Sequence, residues 1–366
     1  MLQGLRPWVE RESPTFDAAA VSGMVGLAAA RLGELGAEVQ RIAAPMPGIG
    51  DCALAKLPHP RQGEPGILIL CHLDTVHPVG TLAKLPFRRD GTQCYGPGIV
   101  DMKGGTYAAV EALAQLQKAG LETPLPVSVL LTSDEEIGSP GTRDLILEHA
   151  RRNNVVLVPE PARPDGGCVT GRYAIARFNV ETHGRPSHAG AALKDGRSAI
   201  RMMAEQVVEI EAMTGDDCTF SVGVIHGGQW VNCVATTCRA EVLSMAKRQA
   251  DLDAGVDRML ARNSTKGDGT GVVVKLGVVR PVWEPNGACM ALYRTAESVA
   301  HVLGMELPHY SAGGGSDGNF TGAAGIPTLD GLGVSGQGVH TLEERVEVSS
   351  LARSGRLMAG LMLALS

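Results

Sequence analysis

Two adjacent carboxylates, Glu135 and Glu136, close an apolar stretch from Val127 to Ser133, and His72, Asp74, Asp101, Glu160 and His340 stand near other predicted strand ends. Imidazole and carboxylate donors without thiolate suit a hydrolytic zinc or cobalt site with open positions, not a closed structural one. An acid beside such a site that does not ligate can serve as its general base. Taken singly, each residue has a plainer reading. His72-Leu73-Asp74 could be a turn with a side-chain-to-backbone bond, Asp101 a helix N-cap, and Asp134-Glu135-Glu136 a solvated face. The three acids, however, terminate a buried strand, where their mutual repulsion is costly without a cation. Cys71 adjoins His72 but on a strand faces away from it, so it is not counted as a ligand.

Positioning these groups requires strands that end in one place. The fully apolar run Gly66 to Cys71, with Ala37 to Ile42, Val127 to Thr132 and the apolar Val155 to Val158, read as short strands. Helical spacing covers Phe16 to Leu35, with Gly36 as its cap, Thr106 to Lys118, closed by Gly120, and Gly141 to Arg152. Apolar strands alternating with helices predict a three-layer α/β domain whose sheet is covered on both faces, with ligand-binding groups at the carboxyl ends of its strands. Asp101, in the glycine-rich run Gly96 to Gly105 just before a helix, fits that placement.

After Gly171 the pattern changes. Strands Tyr173 to Thr182, Thr219 to Ile225, Thr236 to Ser244 and Gly271 to Val279, with helices Arg197 to Met213 and Gln249 to Arg262, predict a compact, ferredoxin-like α+β sandwich. Long apolar-striped helices return at Asn286 to Leu303 and Ser349 to Leu365, flanking the glycine-rich Gly313 to Gly338. The expected organisation is a catalytic domain in two parts, residues 1–171 and 283–366, with a lid or dimerisation domain inserted at residues 172–282.

The chain's 366 residues exceed the usual size of one core, in keeping with two domains. The balance of 33 basic against 39 acidic residues gives no nucleic-acid or anionic-membrane surface, which leaves a small-molecule substrate. The eight cysteines form no C-x-x-C pair and read as reduced buried thiols. No run reaches ~18 apolar residues, and the N-terminal sequence carries no signal-peptide pattern, so residence in the cytoplasm is expected.

The run from His72 to Gly105, the segment Ser133 to Ser139, Glu160, Ser187-His188-Ala189-Gly190, Gly314-Gly315-Ser316-Asp317 and Gly338-Val339-His340 together resemble the co-catalytic zinc metallopeptidases that include glutamate carboxypeptidase, aminoacylase and succinyl-diaminopimelate desuccinylase. The pattern is nearest to the glutamate carboxypeptidase branch and spans nearly the whole chain in order. The resemblance implies two divalent ions per chain, zinc first, with cobalt or manganese as substitutes. His72 and Glu160 would hold one, Glu136 and His340 the other, and Asp101 would bridge them, followed by a cis peptide to Met102. Asp74 would orient His72. Glu135 would be the base. His188 would supply an oxyanion donor, commonly from the partner subunit of a homodimer built through the inserted domain. Asn232, Arg280, Gly314 and Ser316 would contact substrate.

These assignments imply a metal-dependent hydrolase that cleaves a peptide-like or N-acyl amide bond with an activated water. A related hydrolase acting on a non-peptide C–N bond of a small aromatic or unusual amine is one alternative. A metal-binding scaffold without turnover is another, though a scaffold has no use for the non-ligating Glu135. Two departures bear on the substrate. Ser311 and Ala312 precede the triple glycine where the glutamate carboxypeptidase branch has a carboxylate-gripping arginine, and Asn319 stands where the desuccinylase branch has one.

Overall fold

The computed structural model describes residues 1–366. Two compact units make up the chain: a larger one of Met1–Gly171, Trp283–Ala312 and Ser316–Ser366, and a smaller one of Arg172–Val282 with Gly313–Gly315.

In the larger unit, the apolar run ILILCH forms a strand, Ile67–His72, buried at every position. It pairs in parallel with Val127–Thr132 on one side and Val155–Leu157 on the other. Antiparallel strands Cys52–Lys56 and Glu38–Ile42 extend the sheet beyond Val127–Thr132, and the parallel Thr328–Leu329 closes the opposite edge. Because strand side chains alternate, Ile67, Ile69 and Cys71 enter one core and Leu68 and Leu70 the other. Helices Ala18–Glu34, Gly104–Lys118, Gly287–Val302 and Val348–Ala364 contribute to the first core, and Arg143–Ala150 to the second. These are the three expected layers. Burial of a leucine or isoleucine contributes ~1.5–3 kcal/mol, so the strands that carry the site at their ends are held by apolar packing on both faces.

A second, four-stranded sheet was not legible in the sequence. It runs Gly336–Gln337, Arg345–Glu347, Gln93–Tyr95, Arg88–Asp90, all antiparallel. Its strands of two or three residues are too short to show a period of two. The helix Leu2–Glu10, with Pro7 inside it, and the strand Cys52–Lys56 were likewise unassigned. Elsewhere element ends move by two residues at most, and His72 closes its strand instead of following it.

The smaller unit has a sheet in the order Cys218–Gly227, Thr237–Ala246, Ala174–His183, Gly271–Arg280, Ser264–Thr265, antiparallel throughout. Strand Thr237–Ala246 alternates strictly between exposed and buried positions over most of its length. Its inward residues pack with Phe178, Met203, Phe220 and Met259 under helices Ala199–Glu211 and Gln249–Leu260. Four long strands with two helices in the order βαββαβ make this the expected ferredoxin-like sandwich, with the two-residue strand as an addition.

No helix is long and apolar enough to cross a membrane.

Candidate metal centre

Three parallel strands deliver the site. His72 is the last residue of one, the turn Glu135–Ile137 follows the second, and Glu160 follows the third. Asp101 arrives on the irregular segment Ile99–Lys103, with extended φ and ψ of −114° and 99° and a cis peptide to Met102, ahead of helix Gly104–Lys118. It is not that helix's N-cap, which is Lys103. His340 sits on the loop between Gly336–Gln337 and Arg345–Glu347 with a left-handed φ of 65°.

The Asp101 carboxylate divides its two oxygens between the two histidines. Its Oδ1 lies 3.2 Å from His72 Nε2 and its Oδ2 3.2 Å from His340 Nε2. His72 Nε2 is also 3.6 Å from Glu160 Oε1, and His340 Nε2 is 3.1 Å from Glu136 Oε2. Two donor sets of three, His72 with Asp101 and Glu136 and His72 with Glu135 and Glu160, have ligand atoms all within 4.8 Å of one another. Glu135, expected to stand off as the base, therefore lies close beside the His72 and Glu160 donors.

Asp74 ties the strand ends together. It is fully buried, with Oδ1 3.4 Å from His72 Nδ1. The same carboxylate accepts the backbone N–H of Glu135 and of Glu136, each at 3.2 Å, and the Thr15 hydroxyl at 2.8 Å. One acid thus orients the imidazole and the two-glutamate turn at once. Asp134, the third acid of the cluster, accepts Gly141 N–H at 2.7 Å and the Thr142 hydroxyl. Burial pushes its carboxyl up to about 6.

Five carboxylates, Asp74, Asp101, Glu135, Glu136 and Glu160, meet two imidazoles in a site buried on the His72 side and half exposed at His340. The consequences are visible in proton affinity. Burial raises Glu136 and raises Glu160 far more. Hydrogen bonds to Asp101 and Glu136 push His340 up to about 11. Burial opposes the charge on His72, but its bonds to Asp101 and Asp74 prevail and raise it well above its ordinary value. Burial would likewise raise Asp101, and the bonds from His340 and His72 overcome it, holding the carboxyl well below the usual range. A donor set that must hold protons to share its space is one that divalent cations fit, since they would replace those protons as countercharge. The Cys71 thiol is pushed up to about 12 by burial, which leaves it inert.

Two buried residues went unread in the sequence, one in each unit. Glu344 is buried, and its carboxylate accepts the backbone N–H groups of Gly98 (2.9 Å), Val100 (2.9 Å) and Asp101 (3.1 Å), with His77 Nε2 at 2.7 Å. It fastens the whole turn that presents Asp101. The only sequence signal was an acid four residues after His340. Arg172 is the second. It is buried in the smaller unit, with Nη1 3.4 Å from the carbonyl oxygens of both Gly314 and Gly315.

The other sequence candidates fall in two groups. In the smaller unit, Arg280 is buried, and its stem lies so close to Gly315 that a Cβ there would sit 2.6 Å from Arg280 Cδ. Gly314 has φ 82°, which favours glycine. His188 and Asn232 are exposed on neighbouring loops joined by Ala189 N–H to Asn232 O at 2.9 Å. The Nδ1 of His188 accepts Gly190 and Ala191 N–H, both at 3.1 Å, so the neutral ring carries its proton on Nε2. Ser316, in the larger unit, is fully buried, and its hydroxyl donates to Asp330 at 2.5 Å and accepts Gly318 N–H at 3.0 Å. Asn319 is buried beside it and caps Ser316 N–H at 3.0 Å.

The family described as peptidase family M20/M25/M40 matches residues 68–364. Carboxypeptidase G2 of Pseudomonas sp. (strain RS-16) is 30% identical, with 99% of this chain and 88% of that protein covered. A succinyl-diaminopimelate desuccinylase of Xanthomonas campestris pv. campestris (strain B100) is 27% identical over 79% of this chain and 81% of its own length. Among solved structures, human carnosine dipeptidase 1 superposes with a TM-score of 0.79 at 16% identity, covering 99% of this chain and 96% of the other. A Staphylococcus aureus tripeptidase gives 0.77 at 22%, covering 99% and 97%. At these identities the two structures speak for the fold.

Proposed function

The chain belongs to peptidase family M20/M25/M40 and is a metal-dependent hydrolase of amide bonds, and from that premise we propose that it cleaves N-acyl amino acids or short peptides at a centre of two divalent ions, zinc in the first instance. The observation that carries this reading is the Asp101 carboxylate, divided between His72 and His340 at equal distance. His72 and Glu160 would hold one ion, Glu136 and His340 the other, with Asp101 between them. Bound there, the ions supply Lewis acidity, polarising the scissile carbonyl and bringing the pKa of the attacking water toward ~7.

The chain's own groups do the rest. Glu135 takes the water's proton at its carboxylate and passes it to the leaving amine. Asp74 keeps Glu135 and Glu136 in register through their backbone N–H groups and aligns His72. His188 donates from Nε2 to the developing oxyanion, the tautomer its backbone bonds select. Asn232 and Gly314 would contact the substrate's polar backbone, and Arg280 would anchor a carboxylate. A panel of N-acyl amino acids and dipeptides tests the reading: turnover should appear with metal-loaded protein and vanish on chelation, and a panel without a single hydrolysed amide would refute it. Because Ser311 replaces the branch arginine, neutral substrates should compete with acyl-glutamates; one charge-assisted bond is worth roughly 1.5–3 kcal/mol, about one to two powers of ten. Exclusive use of acyl-glutamates would assign the missing anchor to another cation, with Arg172 the first to test.

A homodimer through the smaller unit belongs to the same proposal. Strand Cys218–Gly227 is a sheet edge with exposed Val224 and Ile225, and Val208 on the neighbouring helix Ala199–Glu211 is 70% exposed. Mixing inactive His188→Ala and Glu135→Gln chains should restore part of the activity through shared sites. An active monomer would contradict it.

A further inference from the structure

Between helices Leu2–Glu10 and Ala18–Glu34 the chain runs alongside the residues that follow His72. Pro14 forms a parallel bridge with Thr75. That register asks nothing of the proline's missing N–H, because Thr75 N–H donates to Ser13 O at 2.8 Å and Thr15 N–H to Thr75 O at 3.2 Å. The Ser13 hydroxyl adds a bond to Leu73 O at 2.7 Å. Ser13 and Thr15 are both buried.

The segment is held at each end. Arg11 O accepts the Nζ of the buried Lys103, two residues past Asp101, at 2.7 Å, and Glu12 accepts Gly80 and Leu82 N–H at 2.8 Å each. Further on, Asp17 N–H closes a turn on Pro14 O at 2.8 Å, and the Asp17 carboxylate caps the next helix at Ala20 N–H. Thr15 is thereby delivered to one place, where its hydroxyl donates to Asp74 Oδ2 at 2.8 Å. That bond is shorter than the 3.2 Å from Asp74 to Glu135 and Glu136 N–H and the 3.4 Å to His72 Nδ1. The terminal torsion of a carboxylate is broad, so the plane of a buried one is set by its partners. His72, Glu135 and Glu136 are the groups that Asp74 holds; Thr15 is what holds Asp74.

We propose that Thr15 is a positioning residue of the metal centre: its hydroxyl sets the plane of the Asp74 carboxylate, and through it the ring of His72 and the turn that carries Glu135 and Glu136. The assignment rests on the metal-hydrolase reading above and deepens it. Thr15 exchanges no proton with substrate. It keeps the Asp74 oxygens where two backbone amides and one imidazole need them.

Groups that orient metal ligands typically contribute 10–100-fold to affinity or activity, and Thr15 stands one contact further out, so about tenfold is expected. Thr15→Val, of nearly the same shape without the donor, should lower kcat about tenfold with KM little changed, and weaken zinc binding in equilibrium dialysis by a similar factor. Thr15→Ser keeps the donor and loses the methyl. It should stay close to wild type in both, even where its thermal midpoint falls; a packing role would reverse that order. With Asp74→Asn already in place, Thr15→Val should cost little further zinc affinity, because a residue that acts through another adds nothing once the other is gone. Should Thr15→Val not fold, Thr15→Cys, whose thiol donates only weakly, takes its part. A valine variant that binds zinc and turns over like wild type would overturn the assignment, as would a serine variant impaired as deeply as valine or losses that add to those of Asp74→Asn. Zinc affinity lost in Thr15→Val and kept in Thr15→Ser, in a protein that hydrolyses no amide, would sink the amide-hydrolase reading and keep Thr15. Amide turnover with zinc binding and kcat untouched in Thr15→Val would do the reverse.

Discussion

Glu135→Gln is expected to keep the fold and the bound metal and to lose turnover by about 10²–10⁴-fold, the usual contribution of a positioned general base. The amide is isosteric, and the contacts that hold this turn in place run through the Glu135 and Glu136 backbone N–H groups to Asp74, which the substitution leaves intact. What disappears is the capacity to accept a proton beside His72 and Glu160. Kinetics on metal-replete variant, with metal measured on the same sample, decide the matter. Turnover within a fewfold of wild type at full metal would assign the proton transfer elsewhere. A variant that loses one ion along with its activity would make Glu135 a ligand, which its proximity to the His72 and Glu160 donors makes the sharpest rival.

Asp101→Asn should have the larger effect on metal. One carboxylate reaches both histidines, so its replacement by a neutral amide removes the negative charge they share and leaves one neutral oxygen where there were two charged ones. Partners outside the ligand shell already contribute 10–100-fold to affinity, so a shared ligand should cost at least about 10² at both positions, with activity falling in parallel. Equilibrium dialysis against buffered zinc reads this directly, and a variant that binds both ions as tightly as wild type would refute the bridge. The ion-free protein should also respond. His340, pushed up to about 11 in the fold, contributes stability that is present below pH ~6.5 and declines as pH rises toward 11. Without the Asp101 charge that contribution shrinks, and the thermal midpoint of the ion-free variant should depend less on pH between 6 and 9.

The parts of this site legible in the sequence were those fixed by local pattern. Ile67 to His72 and Val127 to Thr132 are apolar at nearly every position, so their strand ends, and the polar residues just beyond, could be placed without any partner in view. His340 was placed by the motif around it, since nothing local in Gly338-Val339-His340 announces a ligand. The rest depended on contacts across the chain. Glu344 meets Gly98, Val100 and Asp101 some 240 positions away, and Arg172 meets Gly314 and Gly315 about 140 positions away, separations over which one sequence carries no periodic signal. The short strands Gln93–Tyr95 and Arg345–Glu347, whose pairing brings Glu344 to the Asp101 turn, were invisible for the same reason. The bond from Ser316 to the buried Asp330 was not legible either, because a hydroxyl in a glycine-rich loop suits substrate contact as well as it suits such a partner.

The pairing of His72 and His340 across one carboxylate makes a countable claim, and calorimetric titration of chelator-stripped protein with zinc, repeated in buffers of different ionisation enthalpy, tests it in one experiment. Two ions should bind per chain. Protons should be released as they do, because the ion-free site holds them on its imidazoles, His340 being pushed up to about 11 and His72 well above its ordinary value. Saturation at a single ion, or two ions bound with no proton released, would contradict the account.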